Sequence, residues 1–567
     1  MDSSRRWTPG TVALVVLLAG FFVVFLLYPV GYMLREAFLV DGRPSLRYFG
    51  LLLANPLVVR SLGNSFALAA LTTVVTTVLT LPLAHVLTRF RFRGQHLLNG
   101  LLLIPMVMPP FVGAIGLKQL LARYGSLNLL LIDLGWVDPA RPPDWLGAGG
   151  FWGMAILQVL NLYPVMLLNV SAALANVDPS LREAAQNLGA GSWRLFRTVT
   201  LPLILPGWFA GAIIVFIWAF TDLGTPLIFG FSPVVPVQIY DSLTELNTNP
   251  VGYALVVFVV LLTLALFLIS KRVLARRSYA MTSRGHTSGA SIPATSRQTV
   301  GIWFGGGLLV FAGLLPHLAV LLQSFSGRWF FSVLPTEFTT ANFAELGAQG
   351  AIAGSLRNSL LYASISAGID LVLGVAIAWI LTRRRIPFAS VLDALAMLPL
   401  ALPGLVIAFG YVAAFDFKVA WLNPRENPTL LLIVSYAVRR LPYIVRSAYA
   451  GFQQTSVTLE EASANLGASP LRTLRRITLP LVTANLIAGT ILTFSLAMLE
   501  VSDGLILAMK ENYYPITKMI WLVMGRIDPN AAGVACALGV VGMAILAASL
   551  LVASRLLGRS LGQLFRS

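Results

Sequence analysis

Long apolar runs, broken by short polar segments, dominate the chain from end to end. About twenty consecutive apolar residues span the hydrocarbon of a bilayer. Runs of that kind recur roughly twelve times, near residues 11–34, 60–88, 98–117, 151–175, 203–224, 251–270, 300–324, 355–382, 391–415, 429–450, 482–504 and 531–554. The pattern predicts an all-α polytopic membrane protein with about 12 transmembrane helices. The first run follows Arg5 and Arg6, as in a signal peptide. It continues past Val30 without a small-residue cleavage site, so a retained helix is expected.

The apolar runs are organised as a repeat. "SLGNSFALAALTTVVTTVLTLPLAHVLTR" from Ser61 matches "SLRNSLLYASISAGIDLVLGVAIAWILTR" from Ser355 at an offset of 294, and Pro105, Pro109 and Gly116 then fall on Pro399, Pro403 and Gly410. Downstream the offset is 278: Pro164 matches Pro442, Glu183 matches Glu461, Gly189 matches Gly467 and Pro202 matches Pro480. Two parallel six-helix modules are expected, residues 1–275 and 299–567, since an even number of spans returns each copy to the same side. The stretch between them, 276–298, is Ser/Thr/Gly-rich without apolar periodicity and reads as a cytoplasmic linker.

One polar passage occurs in both copies. "LREAAQNLGAGSWRLFRTVTLP" starts at Leu181 and "LEEASANLGASPLRTLRRITLP" at Leu459. In the first copy, Asp178 can cap a helix with Pro179 at its first position, or Ser180 and Glu183 can form a capping box. Thr458 and Glu461 offer the same box in the second copy. Gly189 and Gly467 suit the left-handed position that ends a helix, and Ser192 or Ser469 can start another. The passages, 178–202 and 456–480, are predicted to be helix–turn–helix hairpins. On periodicity alone they could be plain interfacial connectors. Keeping acid, Gly and Leu-Pro at the same spacing twice argues for more.

The pattern resembles the "EAA" loop of permease subunits in binding-protein-dependent ABC importers of the type I fold. The first copy carries it on Glu183, Ala184, Ala185 and Gly189, followed by Val199, Leu201 and Pro202. The second carries it on Glu461, Ala462, Ser463 and Gly467, followed by Ile477, Leu479 and Pro480, with Ser463 as the departure. The resemblance implies coupling helices that dock two ABC ATPase subunits on the cytoplasmic face, a periplasmic substrate-binding protein, and residence in a bacterial inner membrane. A fused pair of permeases is similar to the ferric-iron-type branch, which includes thiamine, phosphonate and sugar-phosphate importers. "FTDLGTPLIFG" from Phe220 and "VRRLPYIVRSAYAGFQQ" from Val438 look similar to that branch.

Composition agrees with a membrane protein: 57% of residues are hydrophobic, 11% are charged, and mean hydropathy is +0.80. A net charge of +17 could point to nucleic acid. With both termini cytoplasmic, however, nearly all the excess falls in cytoplasmic segments such as "RFRFR" (89–93), "SKRVLARR" (270–277) and "RRR" (383–385). The positive-inside rule and contact with membrane lipids account for it, so no nucleic-acid partner is expected. No G-x-x-x-x-G-K-[S/T] phosphate cradle occurs. The resemblance therefore puts ATP and Mg on the partner ATPase, with no cofactor in this chain. No soluble segment offers a nucleophile, base and acid together, so an enzyme is not expected. A secondary transporter is the rival class, since it too uses repeats and buried charges. Cys536 is alone, and His85, His96, His286 and His317 lie far apart, so no disulfide or metal site is expected.

Charges within the apolar runs are the candidates for a substrate pathway. Asp222 and Glu500 match at offset 278, each about twenty residues after the Leu-Pro entry, and with Asp503 they could form an acidic outer mouth or simply reach the headgroup region. Asp370, Arg439 and Arg440 lie deeper in the second copy. Either one arginine pairs with Asp370 as a structural clamp and the other faces the pathway, or both arginines serve only folding. Acids favour a cation such as ferric iron, and arginines an anion such as phosphonate.

Overall fold

The computed structural model describes residues 9–40, 42–245, 250–276, 292–384, 387–416 and 420–557. Residues 277–291 of the expected linker lie outside the described residues. Among the described residues the architecture is all-α apart from three two-stranded pairings, one of which joins Phe90 and Arg91 in parallel to Ile292 and Pro293.

The first half contains α1 (Pro9–Phe38), α2 (Pro56–Arg89), α3 (Gln95–Val107), α4 (Pro110–Leu121), α5 (Phe151–Ala175), α6 (Pro179–Asn187), α7 (Ser192–Thr221), α8 (Gly224–Phe229) and α9 (Val251–Arg276). The second half contains α10 (Ser296–Ser324), α11 (Gly350–Arg383), α12 (Ala389–Leu400), α13 (Gly404–Phe415), α14 (Thr429–Gln454), α15 (Val457–Asn465), α16 (Pro470–Met498), α17 (Ser502–Leu507) and α18 (Ala531–Leu557). Capping signals in the sequence set several starts. Asn55 accepts from the Leu57 N–H ahead of Pro56, and Thr295 with Gln298 closes a capping box at the head of α10. Inside α2, the hydroxyls of Thr72, Thr73, Thr76, Thr77 and Thr80 are all engaged. Thr72 reaches Gln158, and the other four donate back to carbonyls one turn earlier, which satisfies them in an apolar surrounding.

Among the described residues, nine helices are long and apolar enough to cross a membrane, or eleven if each of two bent pairs forms one span. About twelve were expected from the pattern of apolar runs. The runs at 98–117 and 391–415 are broken. α3 meets the segment Pro110–Asp133, which begins with α4, at 93°, and α12 meets α13 at 102°. The breaks fall at Pro109 and Pro403, where a missing N–H and the constraint on the preceding residue stop a helix. The run at 429–450 does form a helix, α14, of 26 residues, but Arg439, Arg440 and Arg446 make it less apolar than the others.

The repetition read in the sequence is present in the packing. In the first half α2, α5 and α7 pack together, and in the second half their counterparts α11, α14 and α16 do the same. The halves also exchange their first helices: α1 packs on α13, and α10 packs on α4. Gly116 and Gly410, the matched pair, sit at these two crossings. A Cβ at Gly116 would overlap the Pro316 carbonyl, and one at Gly410 would lie 3.0 Å from the Met33 methyl and 3.3 Å from Pro29. Small residues let helix backbones approach closely in membranes. Tyr411 locks one crossing by donating to the Phe25 carbonyl at 2.7 Å.

Candidate functional site

Both polar passages form hairpins of the same build. In the first, Asp178 accepts from the Ser180 N–H at 2.9 Å and Pro179 opens α6. That bond holds the Asp178 carboxyl below the usual carboxylate range. In the second, the cap is Ser456, which accepts from the Thr458 N–H at 3.3 Å, so α15 starts earlier than the expected Thr458–Glu461 box. Gly189 and Gly467 both have φ +80°, and the N–H groups of Ala190 and Ala468 close back onto the carbonyls of Ala185 and Ser463 at 3.0 and 3.1 Å. Glu183, Ala184, Glu461 and Ala462 are exposed, as are the hairpin apolar residues Leu188, Trp193, Leu466 and Leu471. Each hairpin then enters α7 or α16 through a widened five-residue turn, Phe196–Thr200 or Leu474–Thr478, just before Leu-Pro. A proline there cannot donate to the preceding turn, and a π turn lets the helix continue past it.

The departure at Ser463 has a local reason. Its hydroxyl is buried and lies 2.9 Å from that of Thr473. At the corresponding first-copy positions stand Ala185 and Leu195. A polar pair in one copy replaces an apolar pair in the other.

Sequence reasoning missed a second tie in this region. Arg383, the last residue of α11, donates from Nε to Glu460 at 3.0 Å and from Nη2 to the carbonyls of Phe452 and Thr455, while Thr478 donates to the same Glu460 oxygen at 3.2 Å. The neighbouring Glu461 is marked in the sequence by its match to Glu183. The signal for Glu460 was the mismatch: position 182 in the first copy is an arginine.

The embedded charges converge in the second half, but not as expected. Asp370 is fully buried, and neither carboxylate oxygen has a hydrogen-bond partner among the described residues. It is not the clamp of either arginine. Arg439 pairs with Glu500 at 2.5 Å and Asp503 at 3.2 Å, and Arg440 pairs with the other Glu500 oxygen and donates to the Leu496 carbonyl at 2.9 Å. Ser435 donates to Asp503 at 2.9 Å. Glu500 and Asp503 therefore do not form an open acidic mouth: they are 5% and 0% exposed. Two cations and two anions close on each other, which is what burial demands.

The physical reason lies in the chain break after α16, which ends at Met498. Residues 499–501 turn the chain so that Glu500 comes back beside α14. The break also gives Glu500 a second role, since it accepts from the Asp503 N–H at 3.3 Å at the head of α17. Asp222 does the same in the first copy, accepting from the Thr225 N–H at 3.3 Å at the head of α8, with Gln158 as its side-chain partner at 3.4 Å. These two breaks meet across the halves. A Cβ on Gly224 would lie 2.9 Å from Val501 and 3.1 Å from Phe111. Among the described residues, no group of three or more His, Cys, Asp or Glu is placed to hold a metal ion.

Residues 77–279 and 370–566 each match the family described as "Binding-protein-dependent transport system inner membrane component". The chain belongs to that family. As an ABC importer permease it is the membrane component of the system, not the ATP-hydrolysing one, and membership implies a substrate-binding protein and an ATPase as partners. This permease is 28% identical over 97% of its length to the ferric transport system permease protein FbpB of Actinobacillus pleuropneumoniae, covering 78% of that protein. It is 30% identical over 80% of its length to the putative ferric transport system permease protein FbpB 1 of Haemophilus influenzae, covering 70% of it. It is also 33% identical, over 28% of its length, to the molybdenum transport system permease protein ModB of Escherichia coli, covering 67% of that protein.

Proposed function

We propose that this permease is a fused pair of type I modules, 1–275 and 299–567, that carries ferric iron inward by alternating access. Two ATPases dock on the hairpins at 178–202 and 456–480. The observation that carries the coupling role is the duplicated capped hairpin, each with an exposed glutamate (Glu183, Glu461) beside an exposed apolar rim (Leu188 and Trp193; Leu466 and Leu471). An apolar rim of this kind is what a partner would bury. On this reading both termini and the linker are cytoplasmic, in keeping with the positive-inside distribution.

The substrate path runs between the halves, where the break at 222–224 faces Val501 and Phe111. Asp222, Glu500, Asp503, Arg439 and Arg440 all border those breaks. In the second half the cationic charge of the arginines is already matched by Glu500 and Asp503, which weakens the case for an anionic substrate. Whole-length similarity supports the same choice. The ferric transport permeases align along 80–97% of this chain, whereas the E. coli molybdenum permease aligns along 28%. The deciding experiment is uptake of radioactive ferric iron and of molybdate by cells with and without this chain. Iron uptake that depends on the chain supports the reading, and molybdate uptake alone would refute it.

A further inference from the structure

The two halves solve the same electrostatic problem differently at the base of the hairpin. In the second half one carboxylate, on Glu460, sits between Arg383 and Thr478. The corresponding residues of the first half are Arg182, Arg89 and Thr200. The two donors of the cradle are retained, and the acid has become a third donor.

The first-half cradle is unfilled by the chain itself. Among the described residues, Arg89 Nε and Thr200 Oγ1 are buried and have no hydrogen-bond partner, and Thr200 is 1% exposed. Their second-half counterparts are the atoms that hold Glu460. The hairpin packs against the end of α2 here, with the rings of Phe196 and His85 6.3 Å apart. Burial, and after it the Arg89 charge, hold the Arg182 guanidinium below its ordinary value. Leaving such donors empty is costly. Outside the described residues the chain has only two acids, Asp2 and Asp41.

We propose that Arg89, Thr200 and Arg182 form an oxyanion site for a phosphate group, in the place that the Glu460 carboxylate occupies in the second half. Two guanidiniums exceed the charge of one carboxylate and suit the charge and multiple acceptors of phosphate. Arg89 also ends a membrane-spanning helix, so the site lies at headgroup depth. An anionic phospholipid headgroup and free inorganic phosphate share this chemistry. A carboxylate from a docked protein fits less well, because Thr200 is only 1% exposed, whereas Leu188 and Trp193, the rim a partner would meet, are exposed.

The test uses the full chain in phosphatidylcholine nanodiscs and reads its Tm. Adding inorganic phosphate, or replacing part of the lipid with phosphatidylglycerol, should raise Tm by about 2 °C or more. A response to phosphate identifies the free ion, and a response to phosphatidylglycerol alone identifies the lipid. Arg182→Glu restores the second-half arrangement, so this variant should melt higher in plain phosphatidylcholine and respond to neither addition. Arg89→Gln should remove the response without supplying the acid. No shift in the wild type, or an equal shift in Arg182→Glu, would overturn the proposal.

Discussion

Gly404 lies directly beneath the guanidinium of Arg439: a Cβ at that position would overlap Nη1 and Cζ. The bend between α12 and α13 and the ion cluster of Arg439, Glu500 and Asp503 are therefore built as one unit. Gly404→Ala should push Arg439 off its carboxylates and cost about 1–3 kcal/mol. Thermal unfolding of the purified permease measures it. The loss should shrink in an Arg439→Ala background, where the clash is gone, and equal losses in both backgrounds would separate the bend from the cluster.

Arg440 is expected to be the more sensitive arginine. Arg440→Met leaves one oxygen of buried Glu500 without its partner, and breaking a buried pair from one side costs about 3–5 kcal/mol. Membrane-inserted yield should fall and recover in part with Glu500→Gln. Asp370→Asn should not rescue Arg440→Met, and in the wild-type background it should leave yield unchanged or raised, since no partner is lost. Rescue by Asp370→Asn comparable to that by Glu500→Gln would restore the clamp that the structure removes.

What the sequence made legible here, and what it hid, follows from physics. Gly189 and Gly467 were readable because a left-handed helix end selects glycine on local grounds alone. The true cap of α15 was not, because Ser456 and Thr458 are both able caps. Arg383 decides between them by holding the carbonyls of Phe452 and Thr455 immediately upstream. The partner of Arg440 was hidden for a different reason. Depth along the sequence presumes continuous helices, and the break at 499–501 carries the apolar residues Leu499 and Val501, so hydropathy gives no sign of it. The two sharp bends were marked only by matched prolines, which signal a break without its angle.

The hairpins should couple to ATP hydrolysis through their exposed faces. Glu183→Lys and Glu461→Lys alter solvent-facing side chains, so folding and insertion should be unchanged. Substrate-stimulated ATP hydrolysis should fall by about tenfold or more, a docking loss of about 1.4 kcal/mol or more. Gly189→Val and Gly467→Val act differently, by straining a left-handed backbone at about 1–2 kcal/mol each. They should lower coupling and hairpin stability together, as read by limited proteolysis. Full coupling in the double Glu→Lys variant would remove the hairpins from the docking role.

The linker is expected to tether and nothing more, and the two halves are expected to depend on each other to fold. α1 needs α13 to cover it, and α10 needs α4, with Gly116 against Pro316 and Gly410 against Met33 as the close contacts. Cutting between residues 285 and 286 leaves all of these elements intact. It also keeps the pairing of Phe90 and Arg91 with Ile292 and Pro293 available across the two pieces. Residues 1–285 and 286–567 should therefore restore transport when produced together. Each should be degraded when produced alone, because an exposed crossing leaves a glycine-lined groove without its partner helix. Gly116→Leu in the first piece should block assembly with the second, since the added side chain meets the Pro316 backbone and not a yielding side chain. Assembly is measured by co-purification through a tag on one piece. Stable, separately folded halves would show that the helix exchange is not what joins them, and loss of transport from two inserted, co-purifying halves would give the linker a role of its own.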